Sequence, residues 1–191
     1  DINGDGEING GTTGTWYSRG DLIKNGFNYP RKRYGISLGA EWNNFDLNVE
    51  LEGIGQWKVN SQSQYVWGTQ GSQWFAPYFQ EHADLGYWTP DNTEAFYPRN
   101  TLNGKNRGST DQYTLDLSNL RIRNLKLGYN LPKTLVNKIK LDKVYLYASA
   151  ENLGFIYYNS FIKYDPELVG ASGGQGYPPQ RNMSFGINVQ F

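Results

Sequence analysis

The chain has 191 residues, with 18 Lys and Arg against 18 Asp and Glu, and therefore no formal net charge. Aromatic residues make up 16% of the sequence, too many for a disordered chain, although the mean hydropathy is only −0.68. No apolar run approaches the ~20 residues that a membrane helix needs, and a neutral chain is poorly suited to binding phosphates. This composition excludes membrane helices, but not a membrane β-barrel, and we expect no nucleic acid partner. The absence of Cys excludes disulfides and thiolate metal sites.

The first residues have the spacing of a calcium-binding loop. Asp1, Asn3 and Asp5 would supply side-chain oxygens at its first, third and fifth positions, and Gly6 would form the sharp turn. Such a loop also needs an acid at its twelfth position, which here is Thr12. Two interpretations stay open: a Ca²⁺ site between Asp1 and Thr12, or a turn in which these side chains hydrogen-bond to their own backbone.

Two alternating runs then predict a tight β-hairpin. The residues of Tyr34–Trp42 and of Phe45–Glu52 alternate between apolar and polar, which is typical of strands with one apolar face. Only Asn43 and Asn44 separate the two runs. Asn tolerates the positive φ that a two-residue type I′ turn requires.

The following connector, from Trp57 to Asn119, is long and rich in aromatic residues. Tyr and Trp are enriched where partners dock, and their faces stack on flat apolar ligand surfaces. The alternative is that the rings pack among themselves, because a long ordered loop needs a small core of its own. The candidates for substrate or partner contact are Trp57, Tyr65, Trp67, Trp74, Tyr78 and Trp88.

Three further strands are predicted in the second half of the chain. In Leu120–Tyr129 the apolar residues change parity around Arg123, which predicts a β-bulge. The runs Val144–Glu151 and Asn182–Phe191 alternate between apolar and polar without a break. Helical signal is limited to a short turn within Pro132–Lys143.

No arrangement of residues predicts catalysis. Glu50 and Glu52 would lie on one strand face at a separation that suits glycosidase carboxylates, but a hydrated barrel wall has the same pattern. His82 is the sole His, and no Gly-x-Ser-x-Gly motif accompanies any Ser. We interpret His82 as a loop residue. Charges of a lumen or its rim, rather than a ligand clamp, are the interpretation for Arg121, Arg123 and Lys126. The chain is therefore predicted not to be an enzyme.

The connections between strands alternate between short and long along the chain. Outer-membrane barrels have this asymmetry, with tight periplasmic turns and long external loops. The strand lengths agree, because a tilted membrane strand needs ~9 to 11 residues. We therefore predict an all-β fold, an antiparallel transmembrane β-barrel whose apolar faces contact outer-membrane lipid and whose polar faces line a wet lumen. The alternative is a soluble all-β carbohydrate-binding module that buries its apolar faces.

Five strands do not close a barrel, because the open edges would leave backbone groups unsatisfied in lipid. Either three more strands lie in the long connectors and complete an eight-stranded barrel, or the chain is part of a larger one. Seven stretches, taken in their order along the chain, bear on this choice. They are DINGDGEIN (1–9), RYGISLGAEWNNFDLNVELEGIGQ (33–56), YWTPDN with YPRN (87–92, 97–100), LSNLRIRNLKLGYNLPK (117–133), VYLYASAENLGFI (144–156), YDPEL (164–168) and YPPQRNMSFGINVQF (177–191).

In these stretches the chain resembles the C-terminal part of a SusC/RagA-type TonB-dependent outer-membrane transporter. The resemblance implies an approximately 22-stranded barrel with a plug. Residues 1–191 would be one C-terminal segment of that barrel domain, with long extracellular loops, and the plug and N-terminal parts would lie outside the chain.

The same resemblance implies a location in the outer membrane and energised import of an oligosaccharide or oligopeptide. It implies two partners: a SusD-like surface lipoprotein, and the TonB system acting through the absent N-terminal part. The long loops would contact the lipoprotein and the substrate. Phe191, at the end of an alternating strand, resembles the aromatic signal for outer-membrane sorting.

Overall fold

The computed structural model describes residues 1–11, 19–60, 64–67, 80–99, 101, 108, 110–162, 165–169 and 176–191. Within these ranges the strands are β1 Lys32–Trp42, β2 Phe45–Gly55, β3 Lys58–Val59, β4 Leu115–Asp116, β5 Asn119–Asn130, β6 Lys143–Tyr158 and β7 Asn182–Gln190. The short helices are α1 Gln64–Trp67, α2 Gln80–Leu85 and α3 Lys133–Val136, with 3₁₀ turns at Asn137–Ile139 and Pro166–Leu168. The five long strands form one antiparallel sheet in the order β1-β2-β5-β6-β7, and β3 pairs with β4.

The first hairpin forms as predicted. Trp42 pairs with Phe45, and the two residues between them, Asn43 and Asn44, have φ values of 46° and 69°. Both values lie in the left-handed region that a type I′ turn requires, and Asn reaches that region at lower cost than most residues. The turn chemistry therefore sets the register of β1 on β2.

The bulge in β5 is also confirmed. Glu50 of β2 pairs with Asn124, whereas the next residue, Leu51, pairs with Ile122, so Arg123 is the extra residue. The insertion keeps the apolar residues before and after it on one face, although their spacing in the sequence changes parity.

Strand β6 is longer than the sequence predicts. The predicted run ends at Glu151, yet the strand continues to Tyr158. Asn152 and Gly154 have positive φ values of 54° and 142°, and the pairing with β5 is irregular there. These irregularities break the period of two, which explains why the pattern ends before the strand does.

The register gathers the apolar residues of all five strands on one face of the sheet. One complete row across the strands is apolar, and the adjacent row is polar or lacks a side chain. The apolar row is Ala40, Leu47, Leu127, Ala148 and Phe185, and the adjacent row is Gly39, Asn48, Lys126, Ser149 and Ser184.

The apolar face is exposed in the structure. Phe45 and Leu47 are 42% and 38% exposed, and Phe185 and Ile187 on β7 are 83% and 60% exposed. A soluble module would bury these side chains in its core, because water contact with so much apolar surface is unfavourable. The exposure contradicts that alternative and agrees with a sheet that has an apolar surrounding on one side.

The two ends of the sheet differ as the connection lengths predict. The Asn43–Asn44 turn and the segment 131–142 lie at the same end, where the Asn130 amide donates to the Asn44 carbonyl oxygen at 2.8 Å. The predicted helical turn is present in that second segment as α3 and its following 3₁₀ turn. The long connectors 56–118 and 159–181 join the strands at the other end.

In the described parts of these long connectors the strands are only two residues long, so the three additional spanning strands of an eight-stranded barrel are not found there. None of the helices in the described ranges is long and apolar enough to cross a membrane.

On the polar face, Tyr147 of β6 lies between two glycines that are its cross-strand partners, Gly128 and Gly186. A Cβ atom added to Gly186 would overlap the Tyr147 ring, and one added to Gly128 would overlap the Tyr145 hydroxyl. At position 186 the Tyr147 ring therefore occupies the space that a larger residue than glycine would need.

Replacing Gly186 by Ala should destabilise the sheet, because the new methyl group displaces the Tyr147 ring and overpacking costs roughly 1–3 kcal/mol. The measurement is the temperature at which the full-length protein loses its folded, fast-migrating form on a gel. The matched control is Gly39→Ala on the same face, where the nearest atom to an added Cβ is the Asn48 Oδ1 at an ordinary 3.5 Å. Equal transition temperatures for the two variants would contradict this packing.

Candidate functional site

The described parts of the two long connectors pack on each other at the end of the sheet opposite the short turns. We call the buried centre of this region the aromatic cluster. It consists of Val66, Trp67, Tyr97, Tyr113, Leu115, Leu117 and Ile162. The cluster is the main buried core in the described residues, since the long strands expose their apolar face.

Ring stacking and hydroxyl hydrogen bonds hold the aromatic cluster together. Tyr97 stacks on Tyr113 with parallel rings 6.3 Å apart and on Tyr87 at 5.1 Å. The hydroxyls of Tyr97 and Tyr87 donate to the carbonyl oxygens of Val66 and Trp67 at the end of α1. These bonds satisfy carbonyls that a short helix leaves without partners. The rings of this part of the loop therefore pack among themselves.

His82 has a different environment from the one expected. It lies on α2, not in an irregular loop, and its side chain is fully buried with its ring 5.8 Å from that of Tyr97. Its short helix begins at Gln80, in a connector whose sequence has no helical period, so the hydrophobic pattern did not indicate it.

The six aromatic contact candidates fall into three groups. Trp67 is buried in the aromatic cluster, whereas Trp57 and Trp88 are half-buried at its margin. Trp57 packs against the cluster, and its indole Nε1 donates to the Asn28 carbonyl oxygen at 3.2 Å. Trp74, Tyr78 and the side chain of Tyr65 lie outside the described residues.

Trp88 lines a surface cleft of about 470 Å³. The cleft also includes Phe96, Arg99 and Gln112. The Gln112 side chain donates to the Phe96 carbonyl oxygen at 3.0 Å, which fixes one wall, and Arg99 is exposed to solvent. An aromatic wall beside a guanidinium suits a ligand group that combines a flat apolar surface with an acid.

The first residues form a turn that is hydrogen-bonded to itself. The Asp1 carboxylate accepts from the amides of Gly4 and Gly6, and the Asp5 carboxylate accepts from the Glu7 amide and from the Asn3 side chain. This is the second of the two interpretations that the sequence leaves open. In the described residues no three His, Cys, Asp or Glu side chains are grouped as metal ligands. Thr12 lies outside the described residues, and a Ca²⁺ ion at Asp1, Asn3 and Asp5 stays a prediction.

Sequence reasoning missed Asp21, which completes this turn. Its two carboxylate oxygens accept from the amides of Ile2 and Asn9, at 2.5 and 2.8 Å. The hydrogen bond from the Asn9 amide lowers the pKa of Asp21 below its ordinary value, and the hydrogen bond from the Ile2 amide lowers it further. The hydrogen bond from the Glu7 amide likewise lowers the pKa of Asp5. Asp21 is 19 residues from Ile2, beyond the reach of local turn patterns.

A sheet with one exposed apolar face, tight turns at one end and ordered loops at the other has the strand plan of outer-membrane transport proteins. No family model matches the chain. Two TonB-dependent receptors of Formosa agariphila, P3 and P26, are 27% and 29% identical to it, and each match includes the whole chain. The chain spans 18% and 19% of the lengths of these two relatives.

Solved structures of a transporter of this kind are also similar to the chain. The RagAB peptide importer in its open-open state matches 85% of the chain with a TM-score of 0.60 and 28% identity, over 17% of the solved chain. Its closed-closed state matches 91% of the chain with a TM-score of 0.62 and 28% identity, over 18% of the solved chain. The resemblance to SusC/RagA-type TonB-dependent transporters is thus confirmed by sequence and by structure. The matched proteins are receptors and importers, which is compatible with a chain that is not an enzyme.

The turn formed by Asp5 and Asp21 should depend on pH. Because both pKa values are lowered in the folded chain, the hydrogen bonds from Glu7 and Asn9 should persist above the ordinary carboxyl pKa. They should be lost only as the pH falls through the lowered values. Hydrogen exchange of these amides, corrected for intrinsic rates and followed from about pH 6 to pH 2, measures this.

The control is the Lys140 amide, which donates to the Asn137 carbonyl oxygen and should show no such transition. Loss of protection at Glu7 and Asn9 already above the ordinary carboxyl pKa would contradict the assignment of these bonds.

Proposed function

We propose that this chain is part of the wall of a transmembrane β-barrel in the outer membrane. The observation that carries the proposal is the exposed apolar face that the register builds across all five strands, with a polar face behind it. An apolar face is stable against lipid, whereas its exposure to water is unfavourable. The polar face borders a wet lumen.

The edges of the sheet support a larger barrel. Strands β1 and β7 each have one neighbour in the sheet, so their outer backbone groups need partners. In a bilayer these partners have to be further strands, since lipid offers no hydrogen bonds. The chain is about one fifth of the length of its relatives, which leaves room for the approximately 22 strands and the plug of this transporter type. We place the chain in the C-terminal part of that barrel.

The whole protein would import an oligopeptide or oligosaccharide together with a SusD-like surface lipoprotein. The matched solved structures are described as a peptide importer, and the matched relatives as TonB-dependent receptors. Energy would reach the transporter from the TonB system through parts of the protein outside this chain. The chain itself would contribute pore wall and docking surface, without covalent chemistry.

The half-buried Trp57 and Trp88 are the described residues that we propose for contact with substrate or lipoprotein. Tyr65, Trp74 and Tyr78 stay predictions, and Trp67 would act from inside by supporting the loop. Phe191 follows β7 and is exposed, which leaves its ring accessible to an assembly factor that reads outer-membrane sorting signals. Its sorting role also stays a prediction.

Replacing Trp88 by Ala in the full-length transporter should weaken its complex with the lipoprotein. Truncating a large ring at the centre of a contact typically costs more than 1 kcal/mol, so we expect at least fivefold less lipoprotein to co-purify. The measurement is the ratio of lipoprotein to affinity-tagged transporter after purification from outer membranes in detergent.

The matched control is Trp42→Ala. Trp42 is a more exposed Trp beside the Asn43–Asn44 turn, at the end of the sheet opposite the aromatic cluster. It should leave the ratio unchanged. Equal ratios for wild type and both variants would remove Trp88 from the contact, and absence of any lipoprotein with the wild type would overturn the partner.

A further inference from the structure

Five charged residues form a continuous network where the polar face of the sheet meets the long loops. We call it the arginine network. Two arginines of β5 alternate in it with carboxylates of β2 and of the segment around the second 3₁₀ turn. Its members are Glu52, Arg121, Arg123, Asp165 and Glu167.

Arg121 is the buried centre of the arginine network. Its side chain is only 4% exposed, its Nη2 lies 2.7 Å from Asp165 Oδ1, and its Nη1 lies 3.2 Å from Glu167 Oε1. The guanidinium also stacks over the ring of Phe155, its cross-strand partner on β6, at 4.7 Å. A guanidinium removed from water to this extent is costly unless carboxylates compensate its charge. The burial of Arg121 therefore determines where Asp165 and Glu167 can lie.

The bulge supplies the second arginine. Arg123 is the extra residue of β5, and its Nη2 lies 2.8 Å from the same Glu167 oxygen that Arg121 contacts. Its Nε pairs with Glu52 on β2. Glu167 thus bridges two guanidinium groups of β5, and the pair between Arg123 and Glu52 extends the connection to β2.

The loop side of the arginine network is equally constrained. Asp165 Oδ1 accepts from the Glu167 amide at 2.9 Å and so begins the 3₁₀ turn as well as pairing with Arg121. Pro166 and Leu168 in that turn are buried, and Val169 packs against the aromatic cluster. The segment Asp165–Val169 is therefore anchored to the sheet by charge and to the aromatic cluster by apolar contact.

We infer that Arg121 is a positioning residue, which holds Asp165–Val169 on the polar face and thereby fixes the aromatic cluster relative to the pore wall. The inference rests on the proposed function, in which the aromatic cluster supports a docking surface. Its physical content is local: removing the charge of Arg121 should free the segment and the loop that packs on it, while the strands stay paired.

The test is hydrogen exchange of the full-length transporter carrying Arg121→Met, which keeps a long unbranched side chain and removes both ion pairs. Exchange in a peptide covering 159–169 should become at least about tenfold faster, because fewer interactions have to be broken when this segment opens. Exchange in the hairpin 32–55 should not change. Arg121→Lys, which keeps the charge but lacks the planar guanidinium fork that contacts the two carboxylates through separate nitrogens, should give an intermediate rate.

Lys126→Met is the matched control. Lys126 is also a cation on the polar face of β5, but its ammonium lies over the rings of Tyr145 and Tyr147, 5.4 and 4.9 Å from their centroids. It should leave exchange in 159–169 unchanged.

Glu167→Gln is a second variant in case Arg121→Met does not accumulate, because it removes the bridging charge at an exposed position with little change of shape.

Co-purification of the lipoprotein, measured on the same samples, separates this inference from the proposed function. Faster exchange in 159–169 without any lipoprotein on the wild type would support the positioning role and overturn the partner. Unchanged exchange in both Arg121→Met and Glu167→Gln would overturn the positioning role, as would an acceleration spread equally over 32–55 and 159–169.

Discussion

The register of five antiparallel strands is the constraint on which the structure depends. Each strand alternates its side chains between two faces, and cross-strand pairing aligns these alternations so that one whole face becomes apolar. A slip by one residue would exchange the faces. The Asn43–Asn44 turn and the bulge at Arg123 are local features that preserve this alignment. The apolar face stays exposed within the chain, and lipid is a surrounding in which such a face is stable.

The same constraint gives the two ends of the sheet different structures. At one end, the turns are tight and contribute hardly any core. At the other, the long connectors build the aromatic cluster, whose rings and hydroxyls satisfy one another. The arginine network lies between the cluster and the polar wall, and it is the described place where charge joins a loop to the sheet. The aromatic cluster and the polar face of the sheet are thereby connected through one network of ion pairs.

Most of the sheet could be predicted from the sequence, because alternation, turn residues and strand length are local signals. The strands Phe45–Glu52 and Asn182–Phe191 could be predicted from their own alternation alone. The bulge at Arg123 could be predicted from the change in parity of the apolar residues. The end of β6 could not be predicted, since positive φ values at Asn152 and Gly154 interrupt the period.

The candidate site was less accessible to sequence reasoning, for a different reason. Arg121 donates to Asp165, which is 44 positions away, and Asp21 accepts from Ile2, which is 19 positions away. Their roles therefore depend on the fold and not on local sequence spacing. Trp67 and Trp88 have the same residue type in the same connector, yet one is buried and the other lines a cleft. Composition identified the aromatic loop but not which rings support it and which are available to a ligand.

The most direct test of the central claim is labelling of single cysteines along β7 in intact outer membranes with a water-soluble maleimide. If the apolar face contacts lipid, cysteines at Ser184 and Asn188 should react, and those at Met183, Phe185 and Ile187 should be protected until detergent strips the lipid. Equal labelling of the two sets in intact membranes would contradict the account.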